Sequence, residues 1–505
     1  MKFTVTRLAV LLLIAPGAGF AADLSQPIRI ESGLIQGVPN LEQDVVAFKG
    51  IPYAAPPVGE LRWREPQPPL KWEGVRKADQ FGAKCPQVKF GSNTPEANTS
   101  EDCLFLNIWA PAKPAEKGLS ILFFVHGGCY QFGSGDMEGS GMAKKGIIFI
   151  SVNHRLGNFC SMGHPDLKKE SPLKSCANYG SLDLIAALKW IQKNIAAFGG
   201  DPAKVTISGQ STGANNVHYL TTSPMAKGLF RGVIAISFPY DFLMKQQAIG
   251  NMYQAEQGGL RLAKEKNLKT LEALRKIPAA ELLKGGGGPT YASPVYPDNY
   301  PTALAKGLVS DVPTMTGMTW DDFGPPAKYD PYTDMGWFKK RVARKCAPEK
   351  LEEVLAQYPA KNDSEAREMW KKVGNEIRMA DIFYWAVKRA KTAKTPVYTY
   401  MFTQAQPFDP KKGAEHGSDL AYEFNAVAVS DKGWRDEDRQ VAEQVSSYWV
   451  NFVKTGNPNG PNLPEWKAFD PHDPATMYLG KDSGFRPIAN TRKAWDLLHR
   501  KETDK

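Results

Sequence analysis

Apolar residues in this chain follow two patterns. Short unbroken runs, such as Ile121 to Val125 and Ile147 to Val152, have the length of strands buried on both faces. Between the runs lie stretches of helical spacing. Leu182, Ile185, Ala186, Leu188 and Ile191 mark one face of a helix predicted over 182–198. Phe198-Gly199-Gly200-Asp201-Pro202 then stops it, as glycine and proline do at a helix end. Further strands are predicted at 205–208, 232–236, 312–316, 396–402 and 477–479. Pro313, near the start of its run, weakens that strand because proline cannot donate to a ladder. Arg439 to Val453 reads as a late amphipathic helix. Strands alternating with helices predict α/β architecture.

Two regions break the alternation. Ala248 to Leu283 and Gly336 to Lys391 are mostly helical and richer in charge. Neither is long or apolar enough for a core of its own, so both are read as insertions capping the sheet. Residues 22–505 then form a single domain. Gly285 to Gly288 is a flexible joint at most.

Size and charge narrow the function. The chain has 505 residues, 42% of them apolar, enough for one large core or two ordinary domains. The formal charge of +10 is spread thinly, and the longest basic cluster, Lys339 to Lys345, reads as one helix face. No dense basic run with interleaved aromatics is present, which argues against nucleic-acid binding. Residues 1–21 have the layout of a signal peptide: Lys2 and Arg7, then apolar Leu8 to Ile14, then Gly19-Phe20-Ala21. Cleavage is expected after Ala21, or failing that after Ala22. That apolar run is too short to span a bilayer, so the mature protein is expected to be secreted or periplasmic, without membrane insertion.

Export makes the six cysteines informative. Cys85 with Cys103, and Cys160 with Cys176, each close a short loop, where a disulfide contributes about 3 kcal/mol. Cys129 and Cys346 are left over; their pairing stays open, with Cys129 expected to be free. No C-x-x-C pair is present, so zinc and thioredoxin-like readings lack support.

Two glycine motifs carry chemistry. Gly209-Gln210-Ser211-Thr212-Gly213 matches G-x-S-x-G between a predicted strand and a helix-forming stretch, the setting of a nucleophile elbow. Such a turn lifts the serine oxygen clear of the sheet and points a helix N-terminus at it. His126-Gly127-Gly128-Cys129 follows directly on a strand, as an HGG-type oxyanion loop does. The expected oxyanion donors are the N–H groups of Gly128, Cys129 and Thr212.

Beyond these motifs the sequence resembles the type-B carboxylesterase family, which also contains the cholinesterases. Gly50 to Gly59 looks like the family's N-terminal signature, and Glu101 to Trp109 like its second. Asn153-His154-Arg155-Leu156-Gly157 and the Phe198 to Pro202 turn match as well. The resemblance implies an α/β-hydrolase fold, with a mostly parallel sheet flanked by helices. It also implies cofactor-free hydrolysis of small-molecule esters, and a disulfide joining Cys85 to Cys103. Through Gly317-Met318-Thr319-Trp320-Asp321-Asp322 it places the triad acid on Asp322, where most members have Glu, with Asp321 the alternative. Through His416-Gly417-Ser418-Asp419-Leu420 it places the base on His416. The order serine, acid, histidine agrees with this fold. Among the seven histidines, the other six have blander readings; His218, for one, sits two turns down the helix after Ser211.

Two rivals remain at this level. An adhesion-type relative that lost catalysis conflicts with the intact Ser211, His416 and Asp322. A lipase or acyltransferase of the same fold differs only in acceptor or interface. The natural ester and the oligomeric state are not readable.

Substrate charge is. Cholinesterases carry Glu just before the nucleophile and a Trp in the first disulfide loop, and both hold a cation. Here the first position is Gln210, and the only aromatic between Cys85 and Cys103 is Phe90. Butyrylcholine is therefore expected to show a lower kcat/KM than an uncharged butyrate ester at low salt. The reverse order overturns this reading.

Overall fold

The computed structural model describes residues 23–40, 44–113, 118–237, 250–322, 324–430 and 432–487. The leader predicted at residues 1–21, the first two residues of the insertion predicted from 248, and His499 lie outside them.

In chain order the strands are β1 (Ile28–Ile30), β2 (Gly33–Gln36), β3 (Val38–Asn40), β4 (Val45–Pro52), β5 (Val75–Lys77), β6 (Phe105–Pro111) and β7 (Leu119–Val125). They continue with β8 (Ile148–Val152), β9 (Gly200–Gln210), β10 (Gly232–Ile236), β11 (Thr314–Thr319), β12 (Val397–Phe402), β13 (Ala475–Leu479) and β14 (Gly484–Pro487). β1, β2 and β5 form a small sheet. The others form a sheet ordered β14-β13-β12-β11-β10-β9-β7-β8-β6-β4-β3. From β8 across to β13 every neighbouring pair is parallel; the two flanks are antiparallel. This is the expected α/β-hydrolase architecture.

The unbroken apolar runs follow from that order. Central parallel strands are covered on both faces, so every position of β7, β8 and β10 is buried. Along β7, Ile121, Phe123 and Val125 join one core with Leu184, Leu188 and Ile191 of helix Tyr179–Asn194. Leu122 and Phe124 point the other way, into a second core with Val445, Trp449 and Phe452 of helix Asp436–Thr455. Alternation with period two thus feeds two layers of helix.

Local expectations shift where a ladder captures extra residues. β9 begins at Gly200 rather than Val205, because Leu119 pairs with Gly200 as soon as the glycine turn ends. β11 begins at Thr314, one residue past Pro313, which keeps the proline out of the ladder.

The second insertion departs further. Helices Met335–Ala343, Leu351–Gln357 and Asp363–Arg389 enclose a cluster of their own, with Phe338, Val342, Cys346, Val354, Tyr358, Ala366 and Val373 buried. The expectation of no separate core was wrong for this region: three short amphipathic faces close on one another. The last helix then runs on, and its Met379, Ile382, Phe383 and Trp385 join the first sheet core. The run at Gly285–Gly288 is tied rather than loose. Gly286 O accepts from Gln131 Nε2 (3.1 Å) and Gly287 N donates to Ser161 Oγ (2.7 Å).

Cys85 and Cys103 form the implied disulfide. The second expected bridge is not formed: Cys160 and Cys176 are separate buried thiols. Each faces a different backbone group, Cys160 the N–H of Gly180 and Cys176 that of His164, and burial pushes the Cys160 thiol up to about 12. Cys129 is exposed and Cys346 is buried in the insertion core, so they do not pair either. Among the described residues no helix is long and apolar enough to cross a membrane. Peptide mapping without reduction is expected to recover Cys85 linked to Cys103, and Cys160 and Cys176 each as alkylatable thiols after unfolding. A Cys160–Cys176 peptide is the contrary result.

Candidate active site

The sheet gathers the chemistry at the carboxyl ends of its parallel strands, where open α/β sheets hold their sites. β9 ends at Gln210, and helix Thr212–Leu220 starts two residues later. Ser211 takes the whole turn between them, at φ 56° and ψ −124°. A non-glycine residue there stores roughly 1–3 kcal/mol of strain. Ser211 N donates to Ile236 O at the end of β10 (2.8 Å). The flanking glycines are steric necessities. A Cβ on Gly209 would lie 2.3 Å from the backbone of Gly213, and one on Gly213 would lie 2.1 Å from Val125 O.

The second glycine turn meets the first. A Cβ on Gly127 would lie 2.8 Å from the Cβ of Ser211. Gly128 has φ 110°, and its carbonyl accepts from Gln131 N (2.8 Å) and Phe132 N (3.0 Å), which curls the loop. Cys129 and Tyr130 also have positive φ. His126 supports the loop from below, stacked on His154 with ring centroids 4.7 Å apart. Burial holds both imidazoles neutral, lowering His126 to about 3 and His154 to about 4.

The acid and histidine come from the loops after β11 and β12. Asp322 Oδ1 lies 2.7 Å from His416 Nδ1. Its Oδ2 accepts from Thr319 Oγ1 (3.1 Å) and Thr319 N (3.3 Å). The neighbouring Asp321 turns away: Oδ2 accepts from Ala414 N (2.9 Å) and Oδ1 sits 3.1 Å from Lys371 Nζ. Of the two candidate carboxylates it is Asp322 that meets the histidine. The pair shifts together. Burial raises the Asp322 pKa, but the hydrogen bond and charge of His416 outweigh it, so the carboxyl falls below its usual range. Burial lowers His416, but Asp322, helped by the charge of Asp419, carries the imidazole above its ordinary 6.5.

Three residues around this histidine were not read from the sequence as its surroundings. Gln210 Nε2 lies 2.9 Å from His416 Nε2. An amide nitrogen only donates, so Nε2 bears the lone pair while Nδ1–H faces Asp322. Among the described residues no hydrogen bond joins Ser211 Oγ to His416 in this arrangement; the amide occupies that place. The sequence singled out Gln210 for substrate charge alone, and nothing in its spacing signalled this contact. Behind His416, Asp419 precedes and Glu423 ends the short helix Leu420–Glu423; both carboxyls are fully buried, with Tyr400 Oη donating to Glu423 Oε1 (3.0 Å). Burial and the charge of Asp322 push Asp419 upward; burial and Asp419 do the same to Glu423.

The remaining described histidines have structural surroundings. His164 caps helix Pro165–Glu170, and His218 lies among Tyr300 and Trp385. His472 lies on a turn closed by Asp470. Among the described residues no cluster of His, Cys, Asp and Glu is placed to hold a metal ion.

Comparison with known proteins assigns the chain to a family. The family model for the carboxylesterase family matches residues 25–494. Fumonisin B1 esterase from Sphingopyxis macrogoltabida is 32% identical over 477 residues, covering 87% of this chain and 84% of that protein. Para-nitrobenzyl esterase from Bacillus subtilis (strain 168) is 30% identical over 486 residues, covering 90% of this chain and 95% of that one. A solved structure of a PNB esterase superposes with a TM-score of 0.75 at 26% identity, covering 94% of this chain and 99% of the other. The chain belongs to the carboxylesterase family. It is a serine carboxylesterase of the α/β-hydrolase fold, an enzyme of carboxylic ester hydrolysis.

The Gln210 contact has a measurable consequence. In Gln210→Glu a carboxylate beside Nε2 favours the imidazolium, so the His416 pKa is expected to rise above the wild-type value in an NMR titration. An unchanged or lower value shows that the side chain at 210 does not face Nε2 in solution.

Proposed function

We propose that Ser211, His416 and Asp322 are the catalytic triad of this esterase, and that the N–H groups of Gly128, Cys129 and Thr212 form its oxyanion hole. The observation that carries the reading is the meeting of two glycine turns at Ser211, beside a histidine already paired with a buried carboxylate. Ser211 Oγ displaces the Gln210 amide from His416 Nε2 and attacks the ester carbonyl as the imidazole takes its proton. Asp322 holds the proton on Nδ1 and stabilises the imidazolium. The raised imidazole pKa strengthens the base at the cost of moving its protonation toward neutral pH. The oxyanion of the tetrahedral intermediate points at the three backbone donors. His416 returns the proton to the leaving alcohol, and water repeats the sequence on the acyl-enzyme.

The names of the relatives, a fumonisin B1 esterase and a para-nitrobenzyl esterase, point to unlike substrates, so the family leaves the substrate open. We read the substrates as neutral or anionic esters, on the uncharged Gln210 beside His416. The Cys85–Cys103 disulfide and the leader-like residues 1–21 support export.

Ser211→Ala is expected to lose ester hydrolysis by on the order of ten-thousandfold or more, because triad members act as a unit. The same variant is expected to lose covalent labelling by a serine-reactive phosphonate. Turnover near the wild-type value in folded Ser211→Ala protein rejects the assignment.

A further inference from the structure

The second insertion forms a cavity of about 710 Å3, within the size range of small-molecule sites. The described residues that line it include neither Ser211 nor His416 nor the glycine loop, so it is a place apart from the proposed triad. Its walls are rich in positive charge. Arg341, Arg344 and Lys345 come from the end of helix Met335–Ala343 and the turn after it. Arg367, Lys371 and Arg378 come from helix Asp363–Arg389, at spacings that return to one face. The basic cluster at 339–345, read from sequence as one helix face, therefore lines a concave wall with part of its length. Against these stands one lining carboxylate, Asp330, already engaged by Tyr332 N (2.9 Å) and the Thr333 hydroxyl of its own turn. Charges of one sign on a concave wall focus their field and concentrate anions there.

The cavity also has an aromatic side. Trp337 and Trp370 meet edge to face with centroids 5.3 Å apart, and the Arg341 guanidinium lies 3.6 Å from the Trp337 centroid. A stacked guanidinium keeps its in-plane N–H fork for a planar acceptor, and a carboxylate matches that fork.

Two further residues of the long helix point to an occupant. Gly374 follows Trp370 by four positions and shares its face. Glycine weakens a helix interior, yet a Cβ on Gly374 would meet nothing within 4 Å. Packing therefore does not require the glycine; what it leaves is open space on the cavity wall beside an indole. Asn375, on the same wall, is only 7% exposed, and its Nδ2 has no hydrogen-bond partner among the described residues. A buried donor without an acceptor is costly, and an oxygen-bearing ligand removes that cost.

We propose that this cavity is a binding site for an aromatic carboxylate, separate from the catalytic centre. The planar apolar body lies beside Trp370 and over Gly374, and the carboxylate meets Arg341 and Arg344. An inorganic anion leaves the apolar part of the wall uncovered, and a neutral aromatic leaves the guanidinium forks unused. The site is built by the insertion alone and does not depend on which residues form the triad.

The test is calorimetric titration of the wild-type protein with 2-naphthoate at low salt. 2-Naphthoate is expected to bind about tenfold or more tightly than 2-naphthamide, which replaces the carboxylate by a neutral amide. Its affinity is expected to fall as salt screens the charges. Gly374→Leu fills the open space and keeps every charge; Arg341→Gln/Arg344→Gln keeps the space and removes two charges. Each is expected to weaken 2-naphthoate about tenfold. Both are expected to hydrolyse para-nitrophenyl acetate within about twofold of the wild type, which reports that they fold and that the catalytic centre is intact. If the double variant does not fold, Arg344→Gln alone, at an exposed position past the helix end, replaces it with a smaller fall in the same direction.

Equal binding of 2-naphthoate and 2-naphthamide overturns the proposal, as does the absence of 2-naphthoate binding to the wild type. An affinity unchanged in the folded variants does the same. Inorganic phosphate binding as tightly as 2-naphthoate overturns the aromatic part of the assignment. Ester hydrolysis lost in step with naphthoate binding places the ligand at the catalytic centre and rejects a separate site.

Discussion

The absence of room between two backbones is the constraint on which the reacting end depends. Gly213 sits so close to Val125 O that a single methyl group would drive the elbow away from the β7 strand end. Because Gly127 in turn lies against Ser211, the loop after β7 and the turn after β9 form one object. Their relative position is set by contact, and β7 and β9 are already neighbours in the sheet. The strained backbone of Ser211 persists because strands and helix on either side over-determine it.

Electrostatics then arranges the other half of the site. The buried Asp322 is compensated from two directions, by His416 and by both polar groups of Thr319. Asp419 and Glu423 sit behind the same imidazole, where burial and neighbouring carboxylates raise both carboxyls above their ordinary range. The neutral His126–His154 stack lies under the glycine loop and holds no charge that could compete with an oxyanion.

What could be read in advance and what could not divides along physical lines. Central strands were legible because burial on both faces makes them continuous apolar runs, as in β7, β8 and β10. The glycine motifs were legible because steric exclusion leaves no alternative residue at 209 and 213. The strands outside the parallel centre carried a weaker signal: β3 and β5 are exposed throughout, and β4 alternates irregularly across a bulge. The resemblance favoured Asp322, but which carboxylate meets His416 shows only in distances, since Asp321 and Asp322 differ in which way a short turn points them. Cys160 and Cys176 close a short loop in sequence, yet helix packing sends their side chains to different backbone partners. Gln210 was invisible as a partner of His416 because the two are 206 residues apart and side-chain direction has no periodicity.

The long helix Asp363–Arg389 belongs to two cores at once, with Ala366 and Val373 in the insertion cluster and Met379, Phe383 and Trp385 in the sheet. That division has an evolutionary consequence. Side chains on the insertion half can be exchanged with little thermodynamic penalty to the elbow, because distant sites without shared partners add independently. The sheet half keeps the insertion docked while its inner lining drifts. A lineage built on this plan can therefore vary the lining of its insertion while Gly209 and Gly213 stay under their own separate steric rule.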